Sequence, residues 1–362
     1  MQIDMHFYGV YAMARATGIE PETARIVAHA SQFVDDAIYD EAVVLPDERA
    51  ILPTMTSHRP LDYGNAIPGD QWKVWVPFHF LPGNEPESGS FVEKMICRKD
   101  SDPARRMLQN ALDARNKDYW PYLVGIVAHV YADTFSHFGF IGFAHPWNRV
   151  KGDSIEASDM HSSSILQYIQ AKFEDFKTRF ASDFAEIIPV GHGAVATYPD
   201  RPYLKWRFEY ETGNPAYRRG RHDSGDTDRD NAVHFLEGCK GLYDFFFDFS
   251  QVNPDIQDSI LSGRSGAKNE GPRAWDEISG DVETILSKEG SKDERIMAWK
   301  EAISSGLFCR VTPVDREIEY EKNLWQPGKL EKEPDILRFF RAGWRHRHYV
   351  LHELLPEIGI LV

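Results

Sequence analysis

Apolar positions recur at helical spacing along most of the 362-residue chain, and little of it alternates with the two-residue period of a half-buried strand. Residues 3–16 predict a first helix stopped by Gly18, and Pro21 opens a second that runs to about Tyr39. From Leu45 to Pro86 the pattern breaks into stretches punctuated by Pro and Gly, with one short apolar piece, WKVWVPFHF, among them. A helix over 103–117 follows. Asp118 is placed to cap the next one and Pro121 to occupy its first turn; that helix opens the longest apolar tract, Tyr122 to Phe143. Ile165, Tyr168, Ile169, Phe173, Phe176 and Phe180 mark a helix within about 159–187. The polar, Gly-rich stretch 211–231 predicts an exposed loop, and helices resume at about 231–250, 274–287, 292–305 and 334–354. The expected fold class is all-α (mainly α), with few or no strands. Residues 1–250 are the expected helical core, and 251–362 a C-terminal helical elaboration packed on it in one compact domain.

Composition narrows the function classes. With 42% hydrophobic and 27% charged residues, the chain has ample core material and is not a disordered polymer. Against 41 basic residues stand 56 acidic ones, a net charge of −15. That field repels phosphate backbones and anionic membranes, so general nucleic-acid or lipid-surface binding is not expected. Cys97, Cys239 and Cys309 are odd in number and far apart, which makes neither a disulfide framework nor a zinc knuckle. Such usage fits a reducing compartment. The N-terminal stretch carries Asp4 and His6 where a signal peptide needs basic and then apolar residues, so the expected location is cytoplasmic. The tract 122–143 is long enough to span a bilayer but holds His129, Asp133 and His137, which reads as a buried helix and no transmembrane segment.

The candidate chemistry sits in those three residues. At i, i+4 and i+8 they stack along one face of a helix in apolar surroundings. A buried carboxylate there persists only when paired or bound to a metal, and a metal satisfies imidazole and carboxylate together. A plain hydrogen-bond network of Asp133 with the two histidines is the structural alternative. Weaker signals are the pair Asp4-x-His6; His29 with the doublet Asp35-Asp36; His79 in PFHFLPG; and His192 with Asp200 in GHG…PDRP, where flanking glycines allow a close backbone approach. Trp72 and Trp75 are candidates for a pocket wall near His79. The YRRGRHD cluster at 217–223 is either a phosphate clamp or a solvated loop. In the last helix Arg338, Arg341, Arg345 and His348 share one stripe. It is expected to pack on the protein's own acidic surface while Phe339, Trp344 and Leu351 fill the core.

The motifs MQIDMH, SQFVDD, FHFLPG, AHVYADTFSH and GHG…PDRP resemble an uncharacterised bacterial family of unknown function, over most of residues 1–210. At the level of scattered motifs over about 1–200, their order also resembles the all-α, zinc-dependent phospholipase C/P1 nuclease superfamily. That resemblance implies a multi-helix bundle around a buried metal centre. It implies that Asp35, His79, His129 and Asp133 hold one zinc, that His6 belongs to a second bridged by Asp133, and that His137 opens a third. The superfamily's compact H-x-x-x-D/E for the third site is absent, and His192 and Asp200 substitute for it, with His145 and the Asp159/His161 pair as rivals. Where the superfamily uses a processed N-terminal amine, Asp4 is the expected replacement.

These readings lead to a metal-dependent hydrolase of phosphoesters holding two or three Zn2+, with Fe or Mn possible in the same donors. Its substrate would be a small anionic phosphodiester, phospholipid headgroup or nucleotide. Asp35 would be ligand and orienting base and Asp133 a bridging ligand, with Asp4, Asp36 and His29 behind them. No G-x-S-x-G elbow, Walker A loop or G-x-G-x-x-G fingerprint offers another chemistry. A helical di-iron oxygenase and a non-catalytic, metal-stapled interaction protein are the alternatives.

Overall fold

Gly18 stands at φ +84°, a conformation costly for any side chain, and ends the first helical segment before Pro21 starts the second. A computed structural model describes residues 1–38, 41–44, 48–58, 68–183, 190–211, 227–258, 272–325 and 335–361. A π-helical turn, Asp4–Gly9, runs without a break into Val10–Ala16, and the two together are α1. Then come α2 (Pro21–Asp36), α3 (Pro68–Lys73), α4 (Trp75–Phe78), α5 (Phe91–Met95), α6 (Asp102–Asp113) and α7 (Trp120–His137). The second half holds α8 (Ser163–Asp183), α9 (Asn231–Val252), α10 (Trp275–Leu286), α11 (Lys292–Ser304), α12 (Pro313–Arg316) and α13 (Asp335–Tyr349). The described chain is mostly helical, but it is not without strands. Val43–Val44 pairs with Ala50–Ile51, and Glu156–Ser158, Lys205–Arg207 and Asp228–Asp230 form an antiparallel three-stranded sheet.

The helix ends follow local chemistry. Ser101 caps α6 through the Ala104 N–H, and Ser291 with Glu294 closes a capping box on α11. Asp118 does not cap α7; that position falls to Tyr119, which makes no side-chain cap. The apolar tract also stays helical only to His137. Phe138 turns to extended backbone and Gly139 takes φ +84°. Arg229 donates to the carbonyls of Ser136 (2.8 Å) and Phe138 at this end, a cation where helix carbonyls lack partners. Within the stretch read from sequence as loops around the apolar piece WKVWVPFHF, Pro68–Lys73 and Trp75–Phe78 are helical as α3 and α4; their prolines occupy positions compatible with short helical turns.

α7 runs through the middle, buried at every residue from Tyr122 to His137 and packed by α2, α6, α9 and α13. It meets α2 at very short range. A Cβ on Gly125 would stand 2.3 Å from the Val27 carbonyl and 2.6 Å from the Ala30 methyl, so only glycine allows these backbones to come so near. The main apolar core joins residues from both parts of the chain, including Phe7, Phe33, Ile126, Phe246, Trp299 and Phe339. A smaller core of Phe80, Phe140, Leu204, Trp206 and Phe208 backs the three-stranded sheet. Among the described residues no helix is long and apolar enough to cross a membrane.

The C-terminal stripe meets acidic neighbours, as expected: Arg341 pairs with Asp118 at 3.0 Å and Arg345 with Glu353 at 2.6 Å. Phe339 and Leu351 are buried, but Trp344 is 59% exposed and stacks on His348, so it is not a core residue. Phe176 and Phe180, and the 217–223 cluster, lie outside the described side chains.

Candidate metal centre

From the tight contact at Gly125, one turn along α7 reaches His129, and two turns along α2 reach Asp35. His79 follows directly on α4, His6 belongs to the π turn of α1, and His192 and Asp200 lie on the irregular segment leading to the sheet. Gly191 makes that last approach possible. It stands at φ +55°, its N–H bonds the Ile141 carbonyl at 2.9 Å, and a Cβ there would fall 2.1 Å from the Phe80 ring. Phe80 in turn stacks on His137, with ring centroids 4.7 Å apart.

The donors gather into three groups, each with its ligand atoms within 4.8 Å of one another: Asp35, His79 and His129; His6, His129 and Asp133; and His137, His192 and Asp200. Two donors about 2.1 Å from a tetrahedral zinc lie about 3.4 Å apart, which sets the scale for such sites. His79 Nδ1 and His129 Nε2 are 3.3 Å apart, and Asp35 Oδ1 stands 4.0 and 3.9 Å from them. Asp133 faces two sides. Its Oδ1 is 3.1 Å from His6 Nε2, and its Oδ2 is 3.3 Å from His79 Nδ1 and 3.2 Å from His129 Nε2. In the third group His137 Nε2 and His192 Nε2 lie 3.4 and 3.7 Å from Asp200 Oδ1.

The outer nitrogens fix which ring atoms carry protons. His79 Nε2 donates to the Thr56 carbonyl at 2.9 Å, His137 Nδ1 to the His79 carbonyl at 2.8 Å, and His192 Nδ1 to the Ala196 carbonyl at 2.8 Å. In the neutral rings this turns a bare lone pair toward a carboxylate in all three cases, an arrangement that is repulsive without a cation between them. His6 stacks on His129 at 3.8 Å, and neither of its buried nitrogens makes a hydrogen bond; the 3.1 Å approach to Asp133 lacks the alignment of one. These rings stand where they could serve as metal ligands; with the facing nitrogens protonated, His79 Nδ1 to Asp133 Oδ2 at 3.3 Å and His137 Nε2 to Asp200 Oδ1 at 3.4 Å are hydrogen bonds instead.

The electrostatics are those of a crowded, dry site. Burial pushes the His6 imidazole well below its ordinary range, and neighbouring His129 adds to this. Burial lowers His192 to about 4, against the pull of Asp200. Burial of its carboxyl group raises Asp35, against the pull of His129 and His79, although a third of its side-chain surface is exposed, making it the open edge of the cluster. Burial would raise Asp133 as well, but His137, the Met1 amino group and His129 hold it well below the carboxylate range. Asp200 is lowered in the same way by the Met1 amino group and His192, against its burial.

Asp4 is the one expected ligand that the structure places elsewhere. It is in none of the three groups, and its Oδ2 accepts from Arg295 Nε at 2.6 Å. The Met1 amino group occupies the place expected for it, 2.7 Å from Asp133 Oδ1 and 3.2 Å from Asp200 Oδ1. The doublet is divided too: Asp35 joins the cluster, whereas Asp36 binds Tyr320 Oη at 2.8 Å and Lys322 at 2.6 Å. His29 packs among Phe33, Tyr320 and Trp325. The rivals lie apart. His145 accepts from the Trp147 N–H, and His161 pairs with Glu289 on the surface. Trp75 stands 5.0 Å from the His79 ring, while Trp72 stacks on Phe143.

No curated protein and no solved structure matches the chain. A family model matches residues 1–354, nearly the whole length, and the chain therefore belongs to the family of unknown function DUF6765.

Proposed function

We propose that this protein is a metal-dependent hydrolase of phosphoesters. The observation that carries the metal is the set of three histidines whose carbonyl-bound N–H groups turn their bare nitrogens toward Asp133, Asp35 and Asp200. The donors are all nitrogen and oxygen, a set that suits Zn2+ and also Fe or Mn. The order of these donors along the chain, similar to that of the phospholipase C/P1 nuclease superfamily, supports a phosphoryl substrate and a helical bundle built around the centre.

Divalent ions in these groups would supply Lewis-acid charge to phosphoryl oxygens and a lowered pKa for the attacking water. The chain's own residues do the rest. Asp35, partly exposed at the rim, orients the attacking water and takes its proton. Asp133 stays ionised and presents one oxygen to each side of the cluster. His79, His137 and His192 are locked in orientation by their carbonyl partners, so the donor frame needs little rearrangement during reaction. The exposed edge at Asp35 favours this reading over a purely structural ion, whose coordination would be closed.

Elemental analysis of untagged protein, beside a His129→Ala/Asp133→Ala variant, tests the metal. Two or three zinc per chain, lost in the variant, together with hydrolysis of a generic phosphodiester or phosphomonoester, is the expected result. Metal-loaded protein that cleaves neither, and that phosphate neither inhibits nor binds, would refute the hydrolase. Iron in place of zinc would move the reading to oxygen chemistry.

A further inference from the structure

Four arginines of the described residues are buried to nine-tenths or more, and three have evident partners. Arg15 pairs with Asp315 at 2.8 Å, Arg295 pairs with Asp4 at 2.6 Å, and Arg229 donates to two main-chain carbonyls among aromatic faces. The fourth, Arg201, is different. Among the described residues its Nη1 and Nη2 reach only the hydroxyls of Tyr203 and Thr197, at 3.4 and 3.3 Å, and its Nε has no partner. Among the described residues it makes no ion pair; its other contact is the Tyr168 ring, 5.6 Å from Cζ. A guanidinium withdrawn from water without an anion is costly, and long bonds to neutral hydroxyls return little of that cost.

The setting is rigid. Asn231 Nδ2 donates to the carbonyls of Tyr198 and Arg201, both at 2.8 Å, and so pins the backbone on either side of Asp200. The carboxylate of Asp200 turns inward to His137 and His192, while the next side chain is held with its guanidinium beside two hydroxyls. Arg presents a planar fork of donors that matches a tetrahedral oxyanion, and hydroxyls can complete the ring of donors around it.

We propose that Arg201, with the hydroxyls of Tyr203 and Thr197, is an oxyanion-binding site for a phosphoryl group, one residue along the chain from Asp200. That this group is a second phosphoryl of the substrate rests on the hydrolase reading; the oxyanion site itself does not.

Titration of inorganic phosphate into the protein as purified, followed calorimetrically, tests the site. Arg201→Met keeps most of the packing of the stem and should weaken one class of phosphate binding tenfold or more, with metal content unchanged. Tyr203→Phe/Thr197→Val, which keeps the guanidinium, should weaken the same class about threefold, and it carries the test if the methionine variant does not fold. His192→Ala should leave this class in place, which separates it from phosphate bound at the metal centre. Wild-type phosphate binding in Arg201→Met, or in the hydroxyl variant if that is the one available, would overturn the site. So would loss of metal together with phosphate in Arg201→Met, since the effect would then act through Asp200. A protein purified without metal that still binds phosphate through Arg201 would uphold the site while the hydrolase failed.

Discussion

Removing the guanidinium of Arg295 strands a carboxylate in the core, and the structure sets the scale of the damage. Asp4 and Arg295 are each 1% exposed and 2.6 Å apart. Arg295 also donates to the Gly290 carbonyl at 2.9 Å and to Gln2 Oε1. Asp4 Oδ1 already has no hydrogen-bond partner, so without Arg295 the whole carboxylate is buried and unpaired. Breaking such a pair from one side costs about 3–5 kcal/mol, and Arg295→Met should fall in that range. With a urea dependence of about 3 kcal/mol per molar, the unfolding midpoint drops by about 1–2 M. Asp4→Asn should cost less than Arg295→Met, because the amide still accepts from the guanidinium. Asp4→Leu/Arg295→Met, which replaces both charges, should regain most of the loss. The assay is urea denaturation at pH 7 and fixed metal concentration, with metal counted in each variant. A loss below about 1 kcal/mol in Arg295→Met would refute the reasoning, since the charge would then be solvated. Full stability with one metal fewer in Asp4→Asn would return Asp4 to the ligand set.

Two further outcomes follow from positions with little freedom. Gly191→Ala meets a positive φ and the Phe80 ring at once, so it should cost about 1–3 kcal/mol and displace His192, read as a lower unfolding midpoint and, on the hydrolase reading, as less metal bound per chain. His346, buried with Nε2 donating to the Pro77 carbonyl at 2.7 Å, is held at about 4 by burial. The unfolded chain binds that proton more readily, near 6.5, so the contribution is full above pH 6.5 and lost as pH falls toward 4. It amounts to about 3 kcal/mol, and His346→Gln should flatten that part of the acid limb in stability measured against pH. An unchanged acid limb would contradict this.

The helices were legible where apolar spacing and end chemistry agree. The prolines of 68–78 suggested irregular chain, yet a proline in a first turn or a short helix breaks nothing, and the segment is helical. The i, i+4, i+8 stack on α7 made its buried His/Asp face visible in one dimension, and the glycines around His192 announced its close approach. Asp4 misled because its partner lies 291 residues away, and no local pattern encodes that distance. Arg201 carried no signal beyond its place in PDRP, since an arginine shows what it lacks only once its neighbours are fixed. Trp344 satisfied the helical period but fell on the outer face, a few tens of degrees from the buried one.

The contacts of α1 have a consequence for how the chain is made. Arg295 holds Asp4, and Asp315 takes both Arg15 and the hydroxyl of Tyr11. At about 5–20 residues per second, the ribosome delivers Arg295 roughly 15–60 s after Asp4. Through that interval the earliest helix carries charges whose counterparts do not yet exist, and His6 rides on it. The His/Asp cluster is therefore among the last features to mature during synthesis, and a nascent chain halted near residue 250 would hold its clustered histidines without the frame that aligns them.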